Sequence, residues 1–226
     1  VINDRTGPIE QNSAMATFAY NFALNRQGLR LSLGLSPGFK QFSFNPDGFT
    51  ENLLTPDDPT ITQIENAYLF QVAAGAWLYN EHFFLGGSSF QLINSLINGA
   101  ANQLNTLSST AFVRHYYFMG GLNINLGEQV FFVPSVLLKT LDDAAISYDI
   151  TGKLVFNNQF WLGANIRKED AIGGFVGILI NDRMELHFSY DLVTSSIRNA
   201  AAGSIEIHLG YRIFNQNSVV CPDRFW

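Results

Sequence analysis

Two histidines near the C-terminal end sit in surroundings that could do chemistry. His187 follows Glu185 and precedes Asp191; His208 follows Glu206 and precedes Arg212. Imidazoles beside carboxylates are the raw material of a metal site or of a Ser-His-acid relay. They also suit an interior network of ion pairs and hydrogen bonds, which Arg167 would join. Buried charges are costly unless paired, so the network is the simpler expectation. Arg167, Glu185, His187, Asp191, Glu206, His208 and Arg212 are therefore expected to fill the interior of the fold. The histidines pair with neighbouring carboxylates in that reading, with no metal and no catalytic residue.

Two further motifs carry less. Gly34-Leu35-Ser36-Pro37-Gly38 satisfies G-x-S-x-G, but a nucleophile elbow needs a helix directly after its serine. Here Pro37 and Gly38 lead into the strand-like Phe39–Phe44, and a bulge that slips the alternation at Pro37-Gly38 is expected instead. Asn45–Thr62 holds Asp47, Glu51, Asp57 and Asp58, without the ligand spacing of an EF-hand. Ser95–Thr110 is neutral and Asn-rich, with Asn98 and Asn102. Both segments are long enough to be binding surfaces. The lone Cys221 excludes an internal disulfide and a cysteine-rich zinc site. No cofactor is implied.

The elements that position these residues are strands. Met184, Leu186, Phe188, Tyr190 and Leu192 alternate with Glu185, His187, Ser189 and Asp191. Ile205, Ile207, Leu209, Tyr211 and Ile213 alternate with Ser204, Glu206, His208, Gly210 and Arg212. A period of two gives each strand one oily and one polar face. About eleven such segments are long enough to cross a bilayer when tilted. They cover 13–24, 28–44, 65–79, 82–94, 111–126, 129–139, 144–157, 159–167, 171–181, 183–194 and 203–214.

Connection lengths alternate. Asn25–Gln27, Asn80-Glu81, Gly127-Glu128, Asn157-Asn158 and Asn181–Arg183 are short. Asn3–Asn12, Asn45–Thr62, Ser95–Thr110, Thr140–Asp143, Lys168–Asp170 and Ser195–Ala202 are mostly longer. Short turns on one side and longer loops on the other characterise transmembrane barrels. Aromatic residues flank the short turns: Tyr20, Phe22, Trp77, Tyr79, Phe83, Phe84, Phe131, Phe132, Phe156, Phe160 and Trp161. They suggest a girdle at one membrane interface.

Composition agrees. Charged residues are only 14% of the chain, against roughly 25% in a soluble domain. Mean hydropathy is just +0.08, and no apolar run approaches the roughly 18 residues of a spanning helix. A net charge of −6 argues against nucleic acid as partner, since phosphate binding needs concentrated Lys and Arg. A soluble sandwich would have shorter strands and no reason to alternate its turn lengths. The expected fold is an all-β, antiparallel, transmembrane outer-membrane barrel over 1–214, followed by a periplasmic tail over 215–226. With Val1-Ile2 reading as the end of a strand, an odd strand count and no signal peptide, the chain is read as an N-terminally truncated piece.

VINDRTGP at the start, RHYYFMGG at Arg114–Gly121, VPSVLLK at Val133–Lys139, FWLGANIRKEDAIGGFVG at Phe160–Gly177 and SYDL at Ser189–Leu192 share a further likeness, completed by the ending GSIEIHLGYRIFN…CPDRFW. In this order the chain resembles the PorP/SprF family of outer-membrane components of the type IX secretion and gliding machinery. One departure is Ile205 in GSIE, where members commonly have histidine. The resemblance implies further strands before Val1, to about fourteen in all, an even number as single-chain barrels usually have. It also implies localisation in the bacterial outer membrane, contact with its lipid and with other secretion components, and a role in anchoring secreted cargo that carries a C-terminal sorting domain. A passive porin for small solutes is the alternative, and an outer-membrane hydrolase a third reading. No family catalytic motif carries over.

Overall fold

The computed structural model describes residues 1–6, 9–26, 28–44, 67–97, 114–141, 145–181, 183–199 and 203–211. Alternating apolar residues become fourteen strands in one antiparallel sheet. In chain order these are β1 (Ile2–Thr6), β2 (Ile9–Met15), β3 (Phe18–Ala23), β4 (Arg30–Phe44), β5 (Ala67–Tyr79), β6 (Phe83–Ile97) and β7 (His115–Leu122). They continue as β8 (Ile124–Asn125), β9 (Val130–Leu141), β10 (Ser147–Phe156), β11 (Phe160–Arg167), β12 (Ala171–Ile180), β13 (Met184–Val193) and β14 (Gly203–Tyr211). No described α-helix interrupts them; one 3₁₀ turn, Ser196–Asn199, precedes β14.

β2 and β3 both pair with β4, and β7 and β8 both pair with β9, so each couple is one crossing with a break. Every crossing neighbours the next one in the chain. Such a meander needs only local turns. β1 pairs only with β2 and β14 only with β13, so the sheet is open among the described residues.

Three sequence expectations change. Asn3–Asn12 is not a loop: β1 and β2 form a hairpin with Ile2 opposite Ser13 and Thr6 opposite Ile9. The alternation of β4 does not slip at Pro37-Gly38, because its pairing with β5 is continuous from Arg30 to Phe42. The irregularity lies on the facing strand, between β2 and β3. Pro37 has no N–H to offer there, while its carbonyl accepts from the Ala16 N–H at 3.0 Å. Finally, the strand before the Asn-rich segment runs to Ile97, beyond the expected 94. It contains a register break where Val72 faces Ile93 and Ala74 faces Ser89, with Gln91 at φ 61°.

The short turns are built on asparagine. Asn157 and Asn158 take positive φ, 52° and 54°, in the tight turn that brings Phe156 opposite Phe160; asparagine tolerates this conformation better than most residues. The Asn80 carboxamide oxygen accepts from the His82 and Phe83 N–H groups, and that of Asn25 accepts from Leu29 N–H. These side-chain bonds replace backbone ones at the turn.

The two faces differ as the alternation requires. Ile205, Ile207, Leu209 and Tyr211 point outward, Ile207 being 70% exposed, as do Leu186, Phe188 and Tyr190. No second layer covers them among the described residues. The inner face is not uniformly polar. Tyr79, Phe84, Phe131, Val133, Val155 and Trp161 are buried together near the short turns, with Trp77, Met119, Phe175 and Leu179 against them. The expected aromatic girdle thus divides. Tyr20, Phe22 and Phe160 are exposed, while Trp77, Tyr79, Phe84, Phe131 and Trp161 pack inside. Burying a large apolar side chain fully stabilises by about 1.5–3 kcal/mol.

Those inner rings lie over glycines on the next strand. Trp77 is directly opposite Gly86, Phe84 opposite Gly121, Trp161 opposite Gly177 and Phe175 opposite Gly163. At each of these glycines a Cβ would collide with the facing ring. Gly177→Val is therefore expected to lower stability by roughly 1–3 kcal/mol, as overpacking does. In a Trp161→Ala background the same change should cost much less, since the ring is gone. Urea titration read by the electrophoretic shift of the folded sheet measures both; equal costs in the two backgrounds would contradict the ring-on-glycine contact.

Candidate functional site on the inner face

Arg167 ends β11, where its Cα partners are Asp149 on β10 and Ala171 on β12. Its three guanidinium nitrogens face three different carboxylates. Nε lies 3.5 Å from Asp149 Oδ1, Nη1 3.1 Å from Asp170 Oδ2 and Nη2 3.5 Å from Asp191 Oδ2. Lys139 Nζ closes the set from β9, donating to Asp149 Oδ2 at 2.6 Å. Asp149 is the buried member.

Asp191 stands on β13, with β12 between it and Arg167. Gly173 on β12 makes the contact possible: it pairs with both Asn165 and Asp191, and a Cβ there would strike the side-chain oxygens of both. The charges gather at the end of the sheet away from the short turns. Two cations meet three anions there, so a rigid planar donor that can serve several carboxylates is favoured over a point charge.

A second constellation lies nearer the middle of the strands. A cavity of about 300 Å³ is lined by Lys153, Glu185, His187 and His208, with Ser135 and Thr151 beside them. Its remaining lining is apolar: Phe84, Met119, Val133, Trp161 and Phe175. Phe84 belongs to β6 and His208 to β14, so the sheet curls enough for distant strands to face one space. His187 and His208 are direct cross-strand partners. The His187 ring packs against Phe175, centroids 5.5 Å apart.

The expected single network is thus two. Arg167 and Asp191 come together, while Glu185, His187 and His208 line the cavity instead. Neither histidine forms an ion pair among the described residues, contrary to the expected pairing: Glu185 and His187 share a face of β13, and the position across from His187 is His208 rather than a carboxylate. Glu206 shares the inner side of β14 with His208, opposite Ser189. Arg212, Asp47, Glu51, Asp57, Asp58, Asn98 and Asn102 lie outside the described residues. Among the described residues no group of three or more His, Cys, Asp or Glu could hold a metal ion. Ser36, the serine of the elbow-like motif, sits in mid-strand opposite Ala73, with its hydroxyl 2.9 Å from that of Thr17.

Lys139, Asp149, Lys153 and Asp170 belong to these clusters and were not singled out from sequence. The signal was present for Asp149 and Lys153: they alternate with Tyr148, Ile150, Gly152 and Leu154 on one strand.

Arg167→Gln is expected to destabilise the folded sheet by about 1–3 kcal/mol, because Asp170 loses its charged donor and Asp149 and Asp191 lose an ion-pair partner. Asp149→Asn in that background should recover part of the loss, and added salt should shrink the effect, since the cluster is only partly buried. Urea titrations of both variants at low and high ionic strength test this; a stability unchanged by Arg167→Gln would remove the cluster's structural role.

No curated protein matches the chain. The sequence profile of the type IX secretion system membrane protein PorP/SprF matches residues 1–211, a span that takes in every described strand, and the chain therefore belongs to the PorP/SprF family of type IX secretion system membrane proteins.

Proposed function

We propose that the protein is an outer-membrane barrel subunit of the type IX secretion machinery that binds or anchors secreted cargo at the cell surface. The family match over residues 1–211 carries this reading. The continuous outward apolar face supports its membrane half, since lipid is the surrounding that such a face suits. Backbone groups left unpaired in hydrocarbon cost several kcal/mol each, so the edges of β1 and β14 are paired in the membrane. Other secretion components, cargo with a C-terminal sorting domain and outer-membrane lipid are the partners. The protein acts by binding and is not an enzyme.

The long connections Asn45–Thr62 and Ser95–Thr110 are the proposed cargo surface. They lie largely outside the described residues; support comes from β4 and β6, which end, and β5 and β7, which begin, on the side away from the short turns. The segment Asn215–Trp226 would then serve contacts on the periplasmic side. A passive pore is the weaker reading, because the inner face near the short turns carries a packed apolar cluster where a pore needs water.

Affinity purification of the tagged full-length protein is expected to bring down a secreted surface protein. Deleting either long connection should reduce that recovery while insertion, read by heat-modifiability, persists, because closure entropy changes slowly with loop length. Full recovery of cargo with both connections deleted would place the binding surface elsewhere. Large conductance in planar bilayers without cargo association would favour the porin.

A further inference from the structure

We propose that the cavity lined by Lys153, His187 and His208 is a binding site for a small amphipathic organic anion with a flat apolar body. Its chemistry is separate from the anchoring role proposed above and does not rest on it.

The donors and the walls dictate the ligand class. Lys153 supplies an ammonium, His187 and His208 supply imidazoles, and Ser135 and Thr151 supply hydroxyls, all facing one space of about 300 Å³. Lys153 stands between Gly163 and Val133, its Cα partners on the flanking strands, and neither neighbour carries a charge. Among the described residues it makes no hydrogen bond or ion pair. The rim cluster, by contrast, pairs both of its cations.

Glu185 is the carboxylate that acts on Lys153 through space. It stands on β13, with β11 and β12 between the two strands, and it lines the same cavity from the far side. An interior ammonium without a bonded counter-ion is costly. An anionic head between Lys153 and the imidazoles would relieve that cost.

The rest of the lining selects the body. Trp161, Phe84, Phe175, Met119 and Val133 form apolar walls and carry no charge. Apolar walls with a few convergent polar groups are the usual make-up of a small-molecule site, and the volume is at the lower end of that class. A neutral apolar molecule would leave the ammonium unanswered, and a cation would meet Lys153 head-on.

Trp161 lines the cavity, so its fluorescence reports occupancy directly. The full-length protein in detergent is titrated with 4-iodobenzoate, a heavy-atom quencher, and in parallel with the neutral 4-iodobenzyl alcohol. Saturable quenching is expected with the anion. The alcohol should give only the linear quenching of a solute that partitions into detergent. Trp161→Phe should abolish the saturable part, which locates it.

Lys153→Gln should weaken the anion by at least about tenfold, equivalent to 1.4 kcal/mol. Lys153→Arg, which keeps the charge, should retain most of the binding and guards against a general folding defect. No saturable quenching by the anion, equal saturable quenching by the alcohol, or an unchanged midpoint in folded Lys153→Gln would each overturn the proposal.

Discussion

Rings lying flat on glycines are the contact that the rest of this sheet depends on. Four inner aromatic side chains, Trp77, Phe84, Phe175 and Trp161, each cover a glycine on the adjacent strand. The inner side of a curled sheet is the crowded side, since side chains converge there. A ring can lie down only where the facing residue has no side chain. Each pair therefore fixes register as well as packing, because a slip of one residue would turn the ring outward and present a Cβ to its neighbour. The same contacts build the apolar cluster near the short turns and leave the inner face free above it.

That stratification separates two kinds of interior chemistry. Near the short turns, the inner face from β5 to β11 carries the aromatic and apolar cluster. At the opposite end it is ionic, with Arg167 serving Asp149, Asp170 and Asp191 from three nitrogens. Glycine is again what permits the contact, since Gly173 lets Asp191 reach across a whole strand. Between the two layers lies the cavity, where aromatic walls meet titratable groups. A further inner hollow, reaching from β3 to β9, is lined instead by small residues such as Ser32, Gly34, Ser36, Ala73, Gly75 and Ser88, with no charge. The hollow is thus uncharged where the cavity carries four titratable groups.

For a secretion-system membrane protein this division has a consequence. A wide aqueous channel needs polar side chains along its full height. Here the inner face changes from ionic to apolar along the strand direction. An interior of that kind packs tightly at one end. The meander helps, because every neighbour in the sheet is also a neighbour in the chain, and the long connections emerge from strands paired on both sides.

Much of this was legible in the sequence. Period-two alternation located the strands from β4 to β14, and asparagine located the short turns, because both are local properties of the backbone. The outward set Ile205, Ile207, Leu209 and Tyr211 followed from the alternation alone. The hairpin of β1 and β2 was missed, because polar Asn3, Asp4, Asn12 and Ser13 look like loop when the ladder that pairs them is unseen. The aromatic layer was placed at an interface rather than inside. Its trace was the loss of alternation in Val130–Val133 and at Phe160-Trp161, where both faces turn apolar.

The inner network was named in part, since the strands supplied the facing of Arg167, Asp191, Glu185, His187 and His208. Which of them meet was decided elsewhere. Register across strands and the curl of the sheet brought Arg167 to Asp149 and kept the histidines apart from it. Sequence alone determined which side each residue faces, because that depends on its neighbours in the chain. Only the tertiary structure decided partners, because those depend on the height of each residue on its strand and on which glycines let a side chain cross.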